Sequence, residues 1–144
     1  MELSHDLLQA KTVPLFKGFS NSQLLKILQL AFIKEYATGI TLFHEVSHGD
    51  VMYVMLSGSA EVLTKDATLK ERVVAKLEKG EFFGELALIN DDVRTATVRI
   101  TAPTRLLVIT RRAFQHMLNT DPATTATILL EFLRILSQRL RKNL

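Results

Sequence analysis

Gly80-Glu-Phe-Phe-Gly-Glu-Leu-Ala-Leu-Ile-Asn-Asp-Asp-Val-Arg-Thr-Ala-Thr97 is the one stretch in the middle of the chain that breaks a strand pattern. Short, β-branched-rich runs flank it. Thr41-Leu-Phe, Val51-Met-Tyr-Val-Met-Leu56, Ala60-Glu-Val-Leu63 and Arg72-Val-Val-Ala75 come before it, and Ala96-Thr-Val-Arg-Ile100 and Arg105-Leu-Leu-Val-Ile109 follow. Gly49-Asp50, Ser57-Gly58, Lys79-Gly80 and Pro103 punctuate them as turn residues do. Many short strands at this spacing predict a sandwich or barrel. Inside the exceptional stretch, Gly84 opens a helix-prone core, Glu85-Leu-Ala-Leu-Ile89. A glycine there lets the free N–H groups of a first helical turn approach an anion closely. Nine residues after Glu85 comes Arg94, whose guanidinium can pair with the same anion. Glu85 can accept hydrogen bonds from a sugar hydroxyl. A carboxylate and an arginine around a helix N-terminus suit a ligand with one phosphate and one ribose.

On both sides of the strand-rich middle the apolar period lengthens. The first forty residues read as helical. Leu24, Ile27, Leu28 and Phe32 fall on one face, with Ser20 or Asn21 as cap, and Pro14 and Gly18 separate this helix from a shorter one around Leu7. After Thr110, Arg111–Leu118 predicts one short helix. Asp121-Pro122 then provides an N-cap and a first-turn proline for a longer one, apolar at Ile128, Phe132, Ile135, Leu136 and Leu140. The expected organisation is a single domain over 1–144: a helical element at 1–31, a barrel at 32–110 and C-terminal helices at 111–144. No linker, low-complexity segment or internal repeat interrupts it.

Composition narrows the function classes. The 144 residues are 47% hydrophobic, enough for a buried core. No apolar run approaches the ~18 residues of a membrane span, and the N-terminus lacks the charge and apolar pattern of a signal peptide. There is no cysteine, which excludes disulfides and thiolate chemistry. A cytoplasmic protein is expected. The net charge of +3 is too mild to imply nucleic-acid binding. Arg134, Arg139, Arg141 and Lys142 read as a solvated helix end facing the negative pole of the macrodipole.

The stretch Phe83-Gly84-Glu85-Leu86-Ala87-Leu88, with Arg94-Thr95-Ala96, resembles the phosphate-binding cassette of the cyclic-nucleotide-binding family. That family includes the catabolite activator protein and the regulatory subunits of protein kinase A. The resemblance extends through Gly49-Asp50, Tyr53 and Ser57-Gly58, and covers about Leu15 to Leu140. It implies a mainly β fold, an eight-stranded jelly-roll-like barrel with an N-terminal helical element and C-terminal hinge and lid helices, and a ligand-sensing function without catalysis. The ligand would be cAMP, with cGMP as the second choice. Glu85 would bind the ribose 2′-hydroxyl and Arg94 the equatorial phosphate oxygen. Backbone N–H groups around Leu86 and Ala87 would complete the cradle, Gly84 would allow close approach, and Thr95 and Ala96 would flank the phosphate. Ligand capture would reshape the cassette and bring the last helix over the base. The chain departs from many members in carrying Val93 where they have proline, after Asn90-Asp91-Asp92.

Two other readings compete. One is a fragment of a catabolite-activator-type transcription regulator without its DNA-binding domain. The other is a metal-dependent barrel enzyme, faintly indicated by His44-Glu45-Val-Ser-His48. His44 and His48 are four apart in a predicted strand-turn and need not point the same way, and His116 lies on a predicted helix, so no metal is expected. Asp91-Asp92 reads as a turn. Phe83, Leu86, Leu88 and Ile89 read as core. The C-terminal helix carries more apolar residues than one packing stripe requires, which favours a homodimer through it.

Overall fold

Ser20 and Gln23 form a capping box. The Ser20 hydroxyl accepts the Gln23 N–H at 3.1 Å, and the Gln23 side chain accepts the Ser20 N–H at 3.0 Å. The helix they start, α2 (Asn21–Leu30), follows α1 (Glu2–Lys11) and a 3-10 turn at Pro14–Phe16. The computed structural model describes residues 2–90 and 92–143. Phe32 is not on the helix face expected for it: it opens strand β1 (Phe32–Tyr36) and is largely exposed. Pairing of β1 with a later strand overrides local helical propensity there.

The remaining strands are β2 (Thr41–Phe43), β3 (His48–Gly49), β4 (Val51–Lys65), β5 (Glu71–Glu78), β6 (Phe82–Phe83), β7 (Asp92–Val93) and β8 (Thr97–Thr110). They pair antiparallel. A six-stranded sheet runs β1-β8-β4-β5, with β2 on β8 and β6 on β4, while β3 and β7 form a separate ribbon. Among the described residues the pairings do not close into a ring. Asp92 lies in β7 opposite Gly49 rather than in a turn, and Asp91 lies outside the described residues.

β4 and β8 were each expected as two short strands and are each one long one. The expected breaks, Ser57-Gly58 and Pro103, fall at the same level of the β4–β8 ladder. Gly58 has φ +98°, and a Cβ on it would lie 2.6 Å from the Pro103 carbonyl and 2.2 Å from the Thr104 hydroxyl. The ladder between the two strands continues past this point with register shifts.

Alternation along β4 divides the core. Met52, Val54 and Leu56 point into a cluster with Leu15, Phe16, Leu24 and Ile27 from the N-terminal helices. Ile128 and Phe132 join it from α4 (Pro122–Asn143), which follows α3 (Arg111–Thr120). Tyr53 and Met55 point the other way, with Phe83, Val98, Ile100 and Val108. Helices from both ends of the chain thus cover one side, and the second side is left for the site. No helix among the described residues is long and apolar enough to cross a membrane.

Asp121 fixes the junction of α3 and α4. Its carboxylate pairs with Lys26 of α2 and accepts bonds from the Thr124 hydroxyl at 2.7 Å and the Thr124 N–H at 3.2 Å. The Lys26 bond, then those from Thr124, lower its pKa from 3.8 to about 2. A value depressed on folding contributes stability above about pH 4, lost as the pH falls through about 2. Asp121→Ala is therefore expected to melt at a lower temperature at neutral pH, with the gap to the unaltered chain closing between pH 4 and 2 in a series of melting scans.

Candidate functional site

β6 delivers the chain to Gly84, which turns it with φ +77° into a 3-10 turn at Glu85–Leu88. Only glycine takes this conformation without strain. A Cβ there would also lie 2.7 Å from Nη1 of Arg94 and 3.1 Å from the Val51 carbonyl. The Ala87 N–H donates to the Gly84 carbonyl at 3.1 Å, closing the turn.

Arg94 follows β7, and its backbone is clasped from both directions. The Val46 N–H donates to the Arg94 carbonyl, and the Arg94 N–H to the Ser47 carbonyl, each at 2.7 Å. Val46 holds φ +71°, a conformation a β-branched residue takes only under constraint. Arg94 as a whole is buried, at 4% exposure. Its Nη2 donates to the Val51 carbonyl at 2.8 Å, and its guanidinium carbon sits 4.3 Å from the Phe43 ring centroid. Behind Phe43 stand Tyr53 and Phe83, with ring centroids 5.2 Å apart. Burial pushes the Tyr53 phenol up to about 12, so it stays neutral beside the arginine.

Gly49 completes the seat. A Cβ on it would lie 2.3 Å from Nε and Nη2 of Arg94. In the sequence Gly49 reads as a turn residue, and nothing marks Phe43 as a partner of the arginine. Neither role leaves a mark in periodicity, because both depend on which residues face Arg94 across the fold.

Phe83, Gly84, Glu85, Leu86, Arg94, Thr95 and Ala96 line one cavity of about 180 Å³, with Phe43, Val62 and Val98. Of the residues predicted for the site, Ala87 alone lies outside this lining; it is fully buried, with its N–H engaged in the turn. Leu86 and Ile89, expected in the core, are 56% and 66% exposed, whereas Phe83 and Leu88 are buried. The 3-10 turn is too short to bury more than one face. An apolar groove begins at the same Glu85–Leu86 wall and runs between Ile89 and Leu129, Phe132 and Leu133 of α4. Arg139 is not a solvated cation of the helix end: it lies on the Phe82 ring and bonds the Phe82 carbonyl. Among the described residues, no three histidine, aspartate or glutamate side chains gather where they could hold a metal.

The comparisons agree with this architecture. Residues 33–121 match the family described as the cyclic nucleotide-binding domain, and the chain belongs to that family. It is 35% identical over 111 residues to a cAMP-dependent protein kinase regulatory subunit of Mycosarcoma maydis, a match covering 74% of this chain and 21% of that protein. It is 32% identical over 112 residues to a cGMP-dependent protein kinase of Drosophila melanogaster (isozyme 2, forms cD5/T2), covering 76% and 12%. It therefore spans about a fifth or less of these kinase relatives. Among solved structures, the Thermus thermophilus catabolite activator protein superposes with a TM-score of 0.78 at 25% identity, over 90% of this chain and 59% of the other.

Proposed function

We propose that this chain is a non-catalytic sensor module that captures a cyclic nucleotide, cAMP ahead of cGMP, in the cavity between the 3-10 turn and Arg94. The observation that carries the reading is the Arg94 guanidinium, seated by Gly49, Gly84, Phe43 and the Val51 carbonyl on the wall of a cavity that also holds Glu85. In so sheltered a place a charge-assisted bond to phosphate is strong. Glu85 would take the ribose 2′-hydroxyl, Thr95 and Ala96 would flank the phosphate, and N–H groups at Leu86 and Ala87 would add to the cradle once the turn re-forms around it.

A cavity of about 180 Å³ falls below the ~300–1,000 Å³ of typical ligand sites, so it encloses only part of a nucleotide. The remainder would be covered by movement of α3 and α4, coupled to the cassette through the groove they share with Glu85 and Leu86. The names of the kinase relatives support cAMP first and cGMP second. The likeness to a catabolite activator protein supports, as a second reading, a regulator whose DNA-binding part lies outside this chain. Leu130, Leu133 and Leu140 are exposed on α4 and support a homodimer through it; light scattering that returns a monomer with and without ligand removes that part.

Melting scans test the reading. At a hundred times its dissociation constant, a nucleotide that binds only the folded chain stabilises it by about 2.7 kcal/mol, a shift of several degrees. A shift with cAMP larger than with cGMP is expected. No shift with either at millimolar concentration would contradict it.

A further inference from the structure

We propose that Arg139 is a latch that holds α4 off the cassette cavity in the free chain, and that nucleotide capture must break its contact with Phe82. The proposal rests on the cyclic-nucleotide reading above.

The α4 helix grips Phe82 at two points. Phe132 stacks on the Phe82 ring with centroids 4.8 Å apart. Seven residues later on the same helical face, Arg139 donates from Nη2 to the Phe82 carbonyl at 3.0 Å, with its guanidinium carbon 4.6 Å from the ring centroid. Phe82 is 1% exposed, and its chain neighbour Phe83 lines the cavity. Arg139 therefore ties the C-terminal part of α4 to the backbone that leads directly into Gly84.

In this seat no described residue of α4 lines the cavity. The helix reaches only the adjoining groove, on the far side of the Glu85–Leu86 wall. Covering a nucleotide that protrudes from the cavity requires the helix to shift across that wall, which carries Arg139 away from the Phe82 carbonyl. A contact made in the free state and lost in the bound state opposes binding by its full strength. Arg139 is thus a positioning residue that sets affinity without touching the ligand.

The test is calorimetric titration of the purified chain with cAMP, beside Arg139→Gln and Arg139→Lys. Both variants should melt lower than the unaltered chain when free, because each weakens the contact. Arg139→Gln should bind cAMP about five- to tenfold more tightly, with Arg139→Lys between, since an ammonium keeps a hydrogen bond to the carbonyl but loses the flat stacking on the ring. A residue with a merely structural role would lower the melting point and leave affinity alone, and that result overturns the latch. Weaker binding by Arg139→Gln overturns it too, and shows the guanidinium to be a ligand contact instead. If the unaltered chain binds no nucleotide, the reading beneath the latch fails together with it; if it binds and the variants match it, only the latch fails.

Discussion

Gly49→Ala is expected to weaken cyclic-nucleotide binding by about ten- to a hundredfold while moving the melting temperature by only a few degrees. The new methyl group would sit 2.3 Å from Nε and Nη2 of Arg94, where no real contact exists. The φ of Gly49 lies outside the left-handed range, so alanine fits the backbone and the guanidinium is what must yield. Once displaced, it loses the Phe43 face and the Val51 carbonyl and no longer meets the phosphate squarely. Hydrogen bonds to a charged group are worth about 1.5–3 kcal/mol, which sets the size of the loss. Stability changes little, because a glycine-to-alanine change at a compatible position recovers about 0.4–1 kcal/mol from the unfolded chain. Binding by Gly49→Ala equal to that of the unaltered chain would show that the seat does not position Arg94.

Arg94→Ala should cost more. Truncating one partner of a buried, hydrogen-bonded charge pair costs about 2–5 kcal/mol, at least roughly thirtyfold in affinity. The phosphate would enter a sheltered site without its counter-charge. Arg94→Lys should recover only part of the loss, since an ammonium cannot reproduce the planar fork or its stacking on Phe43. The same titration that measures the unaltered chain measures both variants. An alanine variant that binds within twofold of it would remove Arg94 from the phosphate site.

The strand-rich middle was legible because short β-branched-rich runs between turn residues are a local signal. The division of Met52, Val54 and Leu56 from Tyr53 and Met55 between two core clusters was not, since every residue of that run is apolar. Capping was equally local, as Ser20 with Gln23 and Asp121 with Thr124 show. What failed was whatever depends on a distant partner. Gly58 looks like the end of a strand until Pro103 and Thr104 are seen opposite it. Phe32 carries a helical spacing but is claimed by β8. Leu86 and Ile89 belong to an apolar run, yet a single 3-10 turn buries Ala87 and Leu88 and leaves those two outside.

The candidate site divides along the same line. Gly84, Glu85 and Arg94 are close in sequence and drew attention by spacing. Gly49 and Phe43, which seat the arginine, come from a different part of the chain and carry no motif of their own. Arg139 was misread for a related reason. A basic residue near a helix C-terminus has an adequate local explanation in the macrodipole, and nothing in its neighbours points to Phe82, 57 positions away.

The most direct test of the central claim is a calorimetric titration of the purified chain with cAMP. The account predicts saturable binding at one nucleotide per chain, lost or severely weakened in Arg94→Ala. Absence of saturable heat with cAMP and with cGMP, or equal binding by the Arg94→Ala variant, would contradict it.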